Sequence, residues 1–100
     1  MTTLGDLVLK VRSKNAGPFW VTIDIFCDDP VVYDRLTRDL STDRVAALYR
    51  TAPETLKRFD IPDLRVIKFS LPRPVIQGAA SDRDMHGAQY AALLEELTLD

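Results

Sequence analysis

The run Phe19-Trp20-Val21-Thr22-Ile23-Asp24-Ile25-Phe26-Cys27 limits the fold more than any other stretch. Successive side chains of a strand point to opposite faces. Phe19, Val21, Ile23, Ile25 and Cys27 therefore share one face, and Trp20, Thr22, Asp24 and Phe26 share the other. The first face is that of a core. The second is mixed, and Asp24 argues that it meets water or a polar site. Gly17-Pro18 stands just before the run and marks a turn. Gly17 adopts positive φ without a Cβ penalty, and Pro18, lacking an N–H, belongs before a strand or on an edge. On the far side of that turn Leu7, Leu9 and Val11 alternate within Leu4–Val11, so a second strand is expected there, bent at Gly5-Asp6. Two strands joined by the short loop Ser13–Pro18 make an antiparallel hairpin the default.

Beyond the strand, Asp28-Asp29-Pro30 opens a helix, with Asp29 as N-cap and Pro30 at the first helical position. Val31, Val32, Leu36 and Leu40 recur near helical spacing. Ser41 or Thr42 looks like a fresh cap, followed by Val45, Leu48 and Tyr49. The expectation is two helical segments over about Pro30–Arg50, broken near Ser41. Pro53–Phe59 reads as a short helical turn or a surface connection. Leu64–Leu71 reads as a third strand, with Arg65, Ile67, Phe69 and Leu71 on one side, ended by Pro72-Arg73-Pro74. Over Tyr90–Asp100, propensity favours a helix for Ala91-Ala92-Leu93-Leu94-Glu95-Glu96-Leu97, while Leu93, Leu97 and Leu99 also suit a strand.

A chain of 100 residues can bury one core. Its Lys and Arg are scattered and its net charge is −2, which argues against nucleic acid as a partner. No apolar stretch approaches the roughly 18 residues of a membrane helix. Met1–Asp6 has neither the basic nor the apolar region of a signal peptide. The lone cysteine, Cys27, has no partner for an internal disulfide and reads as a buried small hydrophobe. A cytoplasmic location is expected.

Two polar clusters carry the candidate chemistry. One is Arg12-Ser13-Lys14-Asn15-Ala16-Gly17-Pro18-Phe19. The other is Asp82-Arg83-Asp84-Met85-His86-Gly87-Ala88-Gln89. The fold is expected to bring them together. His86 would be a general acid or base, with Asp84 setting its tautomer, or else a histidine that ties down a loop carbonyl. Arg12, Lys14 and Arg73 would make a pocket for a carboxylate or phosphate, helped by backbone N–H groups near Gly17. Ser13, Asn15 and Gln89 would order those loops or orient a ligand. The cations could equally pair with Asp82 and Asp84. One histidine and a distant cysteine do not make a zinc set, and no phosphate loop, dinucleotide fingerprint or Gly-x-Ser-x-Gly is present. No metal or cofactor is expected, and whether the chain is an enzyme stays open.

The motifs Ser13–Phe19, Pro72-Arg73-Pro74 and Asp84–Gln89 resemble those of a small bacterial family of unknown function linked to the acyclic terpene utilisation protein AtuA, beside which or fused to which it is found. The resemblance covers nearly the whole chain from Leu4-Gly5-Asp6-Leu7 onward. The chain order is also similar to the C-terminal domain of AtuA-like proteins. The resemblance implies one AtuA-related α+β domain over residues 1–100, a ferredoxin-like two-layer sandwich. Its antiparallel sheet would have about four strands with helices on one face, the last strand being Leu94–Leu99. It implies an accessory or interaction domain working with an AtuA-like catabolic protein. The alternative is a carboxylate or acyl-CoA site between residues 12–19 and 82–89, with or without catalysis by His86 and Asp84. Trp20, Phe26 and Tyr33 exceed what a one-layer core would hold, so a homo-oligomer, most simply a dimer, is expected.

Overall fold

The alternating run does become the central strand, β2 (Trp20–Phe26). In the computed structural model, which describes residues 2–72 and 89–99, β2 pairs on one side with β1 (Lys10–Asn15) and on the other with β4 (Val66–Pro72). β3 (Lys57–Ile61) completes an antiparallel sheet of order β1-β2-β4-β3. Cross-strand partners share a face, so the register sorts the side chains. Val21, Ile23 and Ile25 lie beside Leu71, Phe69 and Ile67, and all six are buried. Sequestering a side chain of this size is worth roughly 1.5–3 kcal/mol.

Among the described residues, four helices cover that face. α1 (Leu4–Leu7) contributes Leu4, α2 (Pro30–Asp39) Tyr33 and Leu36, α3 (Thr42–Leu48) Val45 and Ala46, and α4 (Gln89–Glu95) Ala91 and Leu94. The result is an α+β fold with helices on one side of a four-stranded antiparallel sheet, compatible with a ferredoxin-like architecture. Both expected N-caps form. The Asp29 carboxylate accepts from the Val31 N–H at 2.8 Å, and the Ser41 hydroxyl accepts from the Arg44 N–H at 3.2 Å. They start α2 and α3 on either side of the expected break.

Several expectations are corrected. Leu4–Val11 is not one strand. Leu4–Leu7 is a helical turn in which Asp6 accepts from the Thr3 N–H, and pairing begins only at Lys10. Gly5 has a packing role there: a Cβ on it would meet the Cβ and carbonyl oxygen of Glu95 at 3.2 Å. Ser13, Lys14 and Asn15 belong to β1, which shortens the turn to residues 16–19. Pro53–Phe59, read as a short helical turn or a surface connection, holds a 3₁₀ turn that ends at Thr55, and β3 begins at Lys57. Leu64 closes a 3₁₀ turn, Arg65 takes φ 52°, and β4 starts at Val66.

At the C-terminus a helix replaces the strand expected over Leu94–Leu99. Ala91 and Leu94, three residues apart, both reach the core, and only Thr98 bridges to Thr3. Tyr33 is buried in the core, while Phe19 and Val31 are exposed rather than inward-facing.

One side chain closes α2. Arg58, opposite Phe69 on the helix-covered face of β3, donates to the carbonyl oxygens of Leu40 and Thr37 and pairs with Asp60 at 2.9 Å. The last carbonyls of a helix lack internal partners and favour positive charge. Replacing Arg58 by Met should keep the stem but strand these acceptors, costing about 2 kcal/mol. Urea unfolding with an unchanged m-value checks this.

Candidate functional site

The other sheet face has a different composition. The register places Lys10, Phe26, Val66 and Ile61 in one row across the four strands. Arg12, Asp24, Lys68 and Phe59 make the next, then Lys14, Thr22, Ser70 and Lys57, with Trp20 beside Pro72 at the end. Among the described residues, five cations and one carboxylate thus share this face in a chain whose net charge is −2. Among the described residues no helix packs on it. Trp20 is 36% exposed and Phe59 49%. Lys57 lies 5.8 Å from the Trp20 ring centre and Lys10 4.9 Å from that of Phe26, both within cation–π range.

Two polar atoms on this face are buried without a hydrogen bond, Thr22 Oγ1 and Asp24 Oδ1. Among the described residues Lys68 pairs with Asp24, its Nζ standing 3.7 Å from Oδ1. That separation is an ion pair but too long for a hydrogen bond.

A cleft of about 570 Å³ opens at β1, lined by Val11, Arg12, Ser13, Lys14, Asp24, Phe26 and Ala91. Three residues of the first polar cluster therefore line one cavity. Ser13, on the helix-covered face, also accepts from the Ala91 N–H at 2.9 Å. That N–H belongs to the first turn of α4, where a helix has no acceptor of its own. Residues 78 positions apart are joined by this bond, and β1 lies beside the start of α4. Asn15 sits at the end of β1 opposite Val21. Gly17, at φ 79°, turns the hairpin, with the Ala16 N–H donating to the Trp20 carbonyl oxygen at 2.9 Å.

Arg73, Asp84 and His86 lie outside the described residues, and Gln89 is described only as the first residue of α4. Asp24, Phe26 and Ala91 were not singled out as site residues from the sequence. The signal for Asp24 was present, a carboxylate on a strand of otherwise apolar and neutral residues. Among the described residues no cluster of three or more His, Cys, Asp or Glu could hold a metal, and no helix is long and apolar enough to cross a membrane.

Cys27 is buried on the core side, and desolvation pushes its thiol up to about 11. It is no thiolate nucleophile near neutrality. Burial likewise raises the Tyr49 hydroxyl, which donates to the Tyr90 carbonyl oxygen and ties α3 to α4.

These features define an α+β domain with one helix-covered sheet face and one cationic face bearing exposed aromatics. The chain belongs to the DUF4387 family, a domain of unknown function whose model matches residues 4–98. No curated protein and no solved structure matches it.

The thiol gives a pH prediction. Its folded pKa lies above the ordinary 9.0, so the unfolded chain ionises first as pH rises. The stability contribution is complete below about pH 9 and is lost between there and about 11. Denaturation at pH 8 and pH 10.5 should show a smaller alkaline loss for Cys27→Ala than for the unmodified chain.

Proposed function

We propose that the domain is an accessory module that docks on a larger protein through its cationic sheet face. The observation that carries this reading is the combination of exposed Trp20 and Phe59 with Lys10, Arg12, Lys14, Lys57 and Lys68 on one face. Exposed aromatics set among cations suit a partner surface that is acidic and partly apolar. The AtuA-like catabolic protein enters through the motif resemblance, which also suggests that one domain of about 100 residues works beside it in the cytoplasm. Self-association belongs on a different surface. A two-fold contact through this face would set five cations against five, and like charges facing each other cost several kcal/mol.

A second reading, a site for a small acidic molecule, is favoured by one observation: Arg12, Ser13 and Lys14 line the same cleft.

The docking reading is tested by co-purification with an AtuA-like protein, and by the mass of the chain alone in solution. Retention should weaken with salt. Trp20→Ser and the pair Lys57→Glu, Lys68→Glu should each weaken it about tenfold. Absence of retention, or retention unchanged by both variants, would sink it.

A further inference from the structure

We infer that the cleft at β1 takes a hydroxy acid with a short hydrocarbon body, its carboxylate held by Arg12 and Lys14 and its hydroxyl donated to Asp24. This deepens the small-molecule reading above and does not depend on docking.

Cleft chemistry narrows the ligand step by step. Arg12 and Lys14 stand two residues apart on one face of β1 and both line the cleft. Guanidinium and ammonium groups side by side call for an anionic oxygen group. Cations on a strand at the edge of the described sheet also discourage unwanted strand pairing. That accounts for Lys10, Arg12 and Lys14 by themselves.

It leaves Asp24 unexplained. Its Oδ1 is buried without a hydrogen bond, and Asp24 is one of the residues that line the cleft. A buried acceptor without a donor costs about 1–3 kcal/mol, and a ligand donor would recover that cost. Register puts Arg12 directly across from Asp24. Facing side chains on adjacent strands start about 5 Å apart, a step that a carboxylate and a hydroxyl two carbons apart can bridge.

Charge decides the kind of donor. Arg12 stands across from Asp24, Lys14 lines the same cleft, and Lys68 Nζ is already 3.7 Å from the carboxylate. An ammonium would add positive charge to that group, whereas a hydroxyl donates without charge. Val11, Phe26 and Ala91 supply the apolar part of the lining, and the cleft volume of about 570 Å³ exceeds what a bare two-carbon acid would fill. The class is therefore a 3-hydroxy acid carrying a few further carbons.

The test is calorimetric titration of the full chain, without any partner protein, using 3-hydroxyhexanoate and hexanoate. The hydroxy acid should bind about three- to tenfold more tightly than hexanoate. Arg12→Ala with Lys14→Ala should weaken both acids by about tenfold or more. Asp24→Ala should abolish the difference between them while leaving hexanoate binding in place, with a melting curve confirming that the variant folds. Equal affinity of the unmodified chain for the two acids overturns the inference without any variant. Absence of binding by either acid, or binding undiminished in the double variant, does so too. None of these outcomes touches retention by an AtuA-like protein, so the two readings fail separately.

Discussion

A sheet with one face packed under helices is the constraint that everything else answers to. β2 lies between β1 and β4, so its backbone is paired along both edges. What it can offer the rest of the fold is one row of apolar side chains, Val21, Ile23 and Ile25. The helices complete that side, and the hydrophobic gain is concentrated there. The opposite row, Trp20, Thr22, Asp24 and Phe26, is then free to vary in chemistry. The separation lets one strand serve the core with its odd-numbered residues while its even-numbered ones carry a mixed polar and aromatic row.

The layers are held in register by side chains that reach helix ends rather than by apolar contact alone. Arg58 closes the end of α2 from β3, and Ser13 satisfies the start of α4 from β1. Tyr49 at the end of α3 donates to Tyr90, and Arg44 of α3 donates to the carbonyl oxygen of Thr98. Helix termini carry unsatisfied backbone groups, and in a small domain the neighbouring strand or helix is within reach to supply the partner. Apolar burial decides which face is covered, while these polar ties decide where along the sheet each helix stops and starts.

How much could be read beforehand depended on whether a signal was local. The β2 alternation, the Asp29 and Ser41 caps and the Gly17 turn are each written within a few residues, and each forms, although the strand runs only from Trp20 to Phe26 and Phe19 is exposed. β3 was missed because Lys57-Arg58-Phe59-Asp60-Ile61 has charged residues on both faces. Arg58 faces inward only because α2 ends above it, which no local pattern discloses. The C-terminal segment carried helix propensity against a resemblance that implied a strand, and the packing of Ala91 and Leu94 decides for the helix. Placing the first strand too early had a further effect. With Leu4–Val11 as the strand and Ser13–Pro18 as the loop, Lys10 stood within a strand while Arg12 and Lys14 belonged to a polar loop cluster. Moving the strand to Lys10–Asn15 aligns them on one face opposite Thr22, Asp24 and Phe26. A shift of a few residues thus changed a loop cluster into a cationic row.

The two ends of the described chain run together. The Leu4 N–H donates to the Leu97 carbonyl oxygen at 2.8 Å, the Leu99 N–H donates to that of Thr2 at 3.0 Å, and Thr3 bridges Thr98 between them. A polypeptide appended before residue 2 or after residue 99 would leave from one corner of the fold. The same domain could therefore hang from a larger neighbour by either terminus and present its charged face in nearly the same orientation, so gene order would matter little to the geometry of such a fusion.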